Sequence, residues 1–424
     1  MDRLKKVLEE NKQEYIEYLK ELVAIDTQTI GHGIDGGLEE KGQEYLTSLF
    51  KKMNVDQIEI IQMEENVIEE SLKRYKEGNL GHCYKTNNRY NLAGTFLGNG
   101  TKSILFNGHM DTMPYGELSK WDSPPHEPTI RENRMYGLGT ADMKAGLMAA
   151  TMAVKLLQDA DISLPCDVTI LSVCDEEGGG NGSIVSAMKG QKADGVIVCE
   201  GTSDELILAH MGFVFFEVKV EGKSNHSGAK YLGVSAIEKA MKLIRGLEEL
   251  EHEWLLNYKH PLLPAPNLNV GVLRGGNAGS TVAGECTFQV CVHYLPNVMS
   301  YEQVVNEFES TIKGIAIGDK WLKDHMPTIH VYQAGGAFEM EEQSLFVKSF
   351  KESYKKLKNR EPKVVGSPAG CDSRIWKNIA NCPTIQFGPG NLEQCHAVNE
   401  YVEIDAYLES ILIYAQMILE WGKQ

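Results

Sequence analysis

Several short apolar runs in this chain end alike: the hydrophobic residues stop, and a histidine, a carboxylate or a glycine turn follows at once. Residues 103–107 run into "GHMD", 168–174 into "DEEGGG", 196–199 into "EGT", and 384–387 into "GPG". Longer segments of helical periodicity separate them, such as 143–157 ("MKAGLMAATMAVKLL"). Buried strands alternating with helices imply βαβ units, hence an α/β fold with a mostly parallel sheet and helices on both faces. In such a sheet ligands gather beyond the carboxyl ends of the strands, which is where this chain puts its polar residues.

The texture changes after about residue 209. "GFVFFEVKVEG" alternates apolar and polar side chains, as a strand does when one face is buried and the other is wet. "NLNVGVLRGG" and "CTFQVCVHYLP" are further strand candidates, with helices expected near 234–253 and 301–315. A helix at 342–357, a strand at 384–387 and a helix at 404–421 then return to the first texture. At 424 residues the chain is longer than one ordinary core. The expected organisation is a catalytic domain in two parts, 1–210 and 334–424, interrupted by a smaller α+β domain at 211–333. An edge of the inserted sheet would invite pairing with a second copy of the chain.

Hydrophobic content of 42% and charged content of 24% are those of a globular protein. The formal charge of −17 argues against nucleic acid or an anionic membrane as partner. The opening residues recur at helical spacing instead of forming the apolar stretch of a signal peptide. No run approaches the ~20 apolar residues of a bilayer span. Nine cysteines, scattered and without a C-x-x-C pair, fit free thiols in a reducing cytoplasm.

The strand-end residues carry the chemistry. His109 and Asp111 follow the first run, Glu176 and Glu177 the second, Glu200 the third, and His396 lies beyond the fourth; Asp142 stands just before the 143–157 helix. Singly each has a plainer reading: a solvated histidine, a helix N-cap at Asp142, a wet acidic turn. Together they put two imidazoles and several carboxylates on one rim, which is unfavourable unless cations sit between them. That donor set suits Zn²⁺, or Co²⁺ and Mn²⁺. It is too rich for one tetrahedral ion with an open position, so two ions sharing a carboxylate is the economical reading, with a remaining carboxylate as general base. There is no G-x-S-x-G, no P-loop and no H-E-x-x-H, and "GLGTAD" breaks the dinucleotide fingerprint at its last glycine.

With "GHMDTMP", "YGLGTADMKAG", "DEEGGGNGS", "CEGT", "GKSNHSG", "GCDSRIW" and "CHAVNEYV" in that order, the sequence resembles a zinc-dependent family. It is that of acetylornithine deacetylase, succinyl-diaminopimelate desuccinylase, aminoacylase and glutamate carboxypeptidase. The resemblance implies that His109 and Glu200 hold one zinc, that Glu177 and His396 hold the other, and that Asp142 bridges them. It makes Asp111 the acceptor that orients the His109 ring and Glu176 the base. Adjacent residues on an extended segment point opposite ways, which would keep Glu176 and Glu177 in separate roles. The inserted domain becomes a lid and a dimer interface whose His226 stabilises the oxyanion, commonly across the dimer; read without the resemblance, His226 is a turn residue in an exposed loop. Arg374 corresponds to the arginine that binds a substrate carboxylate. The chain departs from the family in the lid, with Ser280 and Ala283 at the asparagine and proline places and His293 at an arginine place, and Gly-Thr follows Glu200 where Pro-Thr is usual. The expectation is a homodimeric cytoplasmic enzyme with two Zn²⁺ per chain that deacylates N-acyl-L-amino acids. The rivals are a dipeptidase or carboxypeptidase of the same family and, more remotely, a non-catalytic metal- and ligand-binding protein.

Overall fold

The computed structural model describes residues 2–29, 36–79 and 88–424; Cys83 lies outside them. The chain forms two compact units. The first comprises Met1–Leu208, Met340–Val365 and Cys371–Gln424, the second Ala209–Glu339 with Gly366–Gly370. The inserted unit starts at Ala209 where 211 was expected and ends at Glu339 where 333 was expected. It also takes in Gly366–Gly370, which no sequence pattern marked.

The sheet of the first unit runs Gln57–Gln62, Tyr90–Phe96, Asp167–Val173, Ser103–His109, Val196–Val198, Thr384–Gln386, Leu206–His210. Its centre is parallel, from Asp167–Val173 across to Thr384–Gln386. The outer pairings on both sides are antiparallel. The sheet is therefore mixed, more so than a mostly parallel sheet, because the apolar period of a strand carries no record of its direction. The Ser103–His109 strand is buried along nearly its whole length, as expected of a strand covered on both faces. Against it lies the helix Ala145–Asp159, with Leu147, Met148, Met152, Leu156 and Leu157 fully buried; its apolar residues go all the way round, as a buried helix requires. Gly146 lets that helix approach the sheet: a Cβ there would stand 1.8 Å from the carbonyl oxygen of Cys199. The C-terminal helix spans Ile404–Trp421, the bounds its periodicity predicts. No helix of the described residues is long and apolar enough to cross a membrane.

The second unit is built on the antiparallel strands Asn267–Gly275, Glu285–Tyr294, Gly212–Glu221 and Thr328–Gly335, in that order. Val214, Phe216, Val218 and Val220 point into the core with Phe288, Val290 and Val292, while their neighbours face outward. The helices Ala236–Asn257 and Tyr301–Ile317 cover that face, each begun by a serine whose side chain accepts a main-chain N–H of the first turn. Phe216 stacks on Phe308 at 3.9 Å between ring centroids, an arrangement contributing about 0.5–1.5 kcal/mol beyond its buried area. Gly212–Glu221 is paired on both sides. The outer position belongs instead to the more exposed Asn267–Gly275.

Candidate metal centre

Register delivers the first candidate ligands. His109 lies opposite Val173 and Asn107 opposite Val198 in parallel strands, so the residues just past those ends, Glu176, Glu177 and Glu200, emerge at one rim. His109 is 1% exposed. Its Nε2 lies 3.0 Å from Asp142 Oδ1 and 3.7 Å from Glu200 Oε1. The half-exposed His396 places its Nε2 3.0 Å from Glu177 Oε2 and 3.4 Å from Asp142 Oδ2. Asp142 therefore stands between the two imidazoles and turns one oxygen to each. Potential ligand atoms of His109, Asp142 and Glu177 lie within 4.8 Å of one another, as do those of His109, Glu176 and Glu200.

Ring tautomer is settled by geometry at His109. Its Nδ1 is 2.8 Å from the main-chain oxygen of Asp111. A carbonyl can only accept, so Nδ1 carries a proton and Nε2 is the nitrogen turned to the carboxylates of the rim. This corrects the expectation for Asp111: the carbonyl holds the ring, while the carboxylate stands 3.7 Å away. That buried carboxylate accepts the main-chain N–H groups of Glu176 (3.2 Å) and Glu177 (3.1 Å) instead. It anchors the acidic turn.

The segment carrying Glu176 and Glu177 is a turn, not an extended stretch. Asp175 is left-handed at φ 62°, and the N–H groups of Gly179 and Gly180 both reach the Glu176 carbonyl. The turn itself, then, is what separates the two side chains. Around it, Arg89, 2% exposed, binds Asp175 Oδ1 at 2.9 Å and pairs with Glu39. Asn181 donates to Asp175 Oδ2 at 2.6 Å. Asp142 caps no helix: Ala145–Asp159 begins three residues later with no side-chain cap, and the backbone of Asp142 is extended at φ −128°, ψ 90°.

Charge in this dry rim perturbs every group. Burial, reinforced by neighbouring carboxylates, pushes Glu176 and Glu200 well above the usual carboxylate range and Glu177 up to about 7. Burial opposes the charge of Asp142 as well, yet hydrogen bonds from both histidines hold it below that range. Hydrogen bonds to Asp142 and Glu177 lift His396 to about 10. Negative charge gathered at one rim, with the Nε2 atoms of two imidazoles turned into it, fits divalent cations.

Arg374 is elsewhere occupied. It is 1% exposed, its Nε bonds the equally buried Glu77 at 2.9 Å, and its Nη atoms donate to the carbonyls of Cys371 (2.6 Å) and Gly179 (3.0 Å). The guanidinium expected to meet a substrate carboxylate already holds one from its own chain. His226 belongs to the second unit, exposed, with Nδ1 accepting the N–H of Gly228 at 3.1 Å. His293 is partly buried there, its ring 3.2 Å from Asn267 Oδ1.

Sequence reasoning missed two buried acids. Asp372 takes the Ser183 hydroxyl at 2.5 Å on one oxygen, has no hydrogen-bond partner among the described residues on the other, and adds to the negative field on Glu176 and Glu200. Glu400 accepts three main-chain N–H groups of the Asp142 turn. Both sit inside the quoted motifs "GCDSRIW" and "CHAVNEYV", so the signal was an unassigned acid next to assigned residues.

Such a fold, with strand ends and a shared carboxylate gathering imidazoles and acids, defines a metal-dependent hydrolase of amide bonds. The chain belongs to Peptidase family M20/M25/M40, whose profile matches residues 105–420. It is 30% identical to the N-formyl-4-amino-5-aminomethyl-2-methylpyrimidine deformylase of Halalkalibacterium halodurans, over 98% of this chain and 96% of that one. It is 28% identical to the acetylornithine deacetylase of Vibrio parahaemolyticus, over 77% of this chain and 83% of the other. In fold it resembles the dipeptidase Dug1p of Saccharomyces cerevisiae, with a TM-score of 0.76 at 13% identity over 100% of this chain and 98% of that one.

Proposed function

We propose that this enzyme removes a short acyl group from nitrogen with two zinc ions, as acetylornithine deacetylase and succinyl-diaminopimelate desuccinylase do with N-acyl-L-amino acids. The observation that carries the reading is Asp142 between the two imidazoles, one oxygen toward each. His109 and Glu200 would hold one ion, His396 and Glu177 the other, and Asp142 both. When bound, the ions supply Lewis acidity toward the amide carbonyl and lower the pKa of a water. Glu176 takes the proton of the attacking water and returns it to the nitrogen as the amine departs. Elemental analysis should give two metals per chain, and chelation should abolish hydrolysis. Full activity with one tightly held ion would overturn the dinuclear reading.

A second reading concerns the amine. With Arg374 engaged by Glu77, a leaving amine without a carboxylate is favoured, as in the N-formyl aminomethylpyrimidine named for the Halalkalibacterium relative. Rates on formyl, acetyl and succinyl amino acids, on N-formyl aminomethylpyrimidine and on dipeptides decide between them. Dipeptides cleaved fastest would put the enzyme with the peptidases. The free thiols of the described cysteines suit a cytoplasmic enzyme.

His226 is proposed as the oxyanion donor in a homodimer. Accepting at Nδ1 leaves the neutral ring's proton on Nε2, the form able to donate to a carbonyl oxygen. His226→Ala should keep both metals and lower kcat by roughly 10²–10³-fold. If the histidine acts in trans, mixing His226→Ala with Glu176→Gln restores part of the activity; a wild-type rate for His226→Ala removes the role.

A further inference from the structure

We propose that Glu400 is a positioning residue of the metal centre: its carboxylate fixes the turn that carries Asp142 to the segment that carries His396. This rests on the metal reading above.

Glu400 is 1% exposed, and all three main-chain donors on it come from one turn. One oxygen accepts Ala141 N–H at 2.7 Å and Asp142 N–H at 3.1 Å; the other accepts Gly139 N–H at 2.8 Å. Successive amides converging on one anion form a nest, which holds both the anion and the backbone that supplies it. The Asp142 N–H is among them, so the anchor reaches the very residue whose two oxygens face His109 and His396.

The other end of the link is equally fixed. Glu400 follows His396 by four residues, and its own carbonyl accepts Gly137 N–H at 3.0 Å. The strand Tyr401–Glu403 then pairs antiparallel with Arg134–Tyr136. The segments leading to Asp142 and from His396 are thus joined by main-chain pairing, and Glu400 carries that junction into the turn itself. Strand pairing alone would fix Tyr136; the carboxylate fixes Asp142. The nearby Lys144 holds the turn's far side, donating from Nζ to the carbonyls of Ile25 (2.8 Å) and Leu22 (3.3 Å). A rigid Asp142 is what a shared ligand needs, since a small rotation improves one bond and spoils the other.

Glu400→Gln keeps the shape but leaves one accepting oxygen and turns an NH₂ group toward N–H donors. Cobalt(II) titrated into the metal-free protein should bind about 10–100-fold more weakly than to wild type, and the visible spectrum of the loaded variant should shift. Glu400→Asp keeps the charge but withdraws it by one methylene, and should fall between the two. Glu403→Gln, just beyond it on the strand but exposed and paired with Arg134, should bind cobalt as wild type does. Far-UV circular dichroism and metal-free melting of each variant separate lost folding from lost positioning; should Glu400→Gln not fold, Glu400→Asp carries the comparison. Wild-type cobalt affinity and spectrum in both Glu400 variants would overturn the proposal alone. Absence of cobalt binding by the wild type would overturn the metal reading and this proposal together.

Discussion

Glu176→Gln is expected to lower kcat by about 10²–10⁴-fold, the usual contribution of a general base, while both metals stay bound. Glu177→Gln, one residue on, is expected to lose metal as well as rate. The difference follows from what the two carboxylates touch. Glu177 meets the Nε2 of His396 with both oxygens, at 3.0 and 3.1 Å, so its removal takes a donor from the ring's immediate surroundings. Glu176 is partly buried, and desolvation followed by the negative field of Asp372 and Glu200 raises its carboxyl well above the usual range, so a proton it takes is held firmly. A donor atom of its side chain also lies within 4.8 Å of those of His109 and Glu200, and this makes the experiment decisive. Metal content measured after gel filtration, next to kcat on the same samples, distinguishes the roles. Full metal in Glu177→Gln and depleted metal in Glu176→Gln would exchange them.

The candidate ligands were legible because they lie where an apolar run stops, and strand ends are visible in one dimension. His109, Glu177 and Glu200 could be placed from that pattern, and the structure brings them to one rim with Asp142 and His396. What lay beyond the pattern was direction and turn. Nothing in the composition of residues 90–96 says that they run antiparallel to 167–173. Nor does "DEEGGG" say that Asp175 takes a left-handed conformation, which makes the acidic segment a turn instead of the extended stretch expected. Asp111 was expected to hold the His109 ring with its carboxylate, yet a sequence cannot separate a residue's carbonyl from its carboxylate, and here they have different partners. Glu400 and Asp372 stayed unassigned because their partners, Ala141 and Ser183, are far away in the chain. Long-range partners of a buried acid leave no local trace.

Arg374 is the case in which a motif suggested one role and the surroundings argue another, and its substitution should be among the most damaging in the chain. Arg374→Ala leaves the Glu77 carboxylate, 1% exposed, without the guanidinium at 2.9 Å. Removing one partner of a buried ion pair costs about 3–5 kcal/mol, because the charge left behind loses that partner in a place where water does not replace it. It also frees the carbonyls of Cys371 and Gly179. Gly179 closes the turn on the Glu176 carbonyl, so the loss reaches the proposed base without any contact with substrate. The expected result is a lower urea midpoint and a reduced kcat in whatever fraction stays folded. Arg374→Lys should rescue little of this, since one ammonium cannot serve the carboxylate and both carbonyls in the geometry of a planar fork. Replacing Arg374 and Glu77 together by leucine should cost less than the sum of the single replacements, as expected for two residues in direct contact. An arginine that grips substrate gives another pattern: an unchanged midpoint, and a KM raised at least about tenfold for carboxylate-bearing substrates only, the equivalent of about 1.4 kcal/mol of lost binding. That outcome would return Arg374 to the substrate and restore N-acyl-L-amino acids as the favoured class. A lower midpoint with KM unmoved would leave the guanidinium as the strut of the acidic turn.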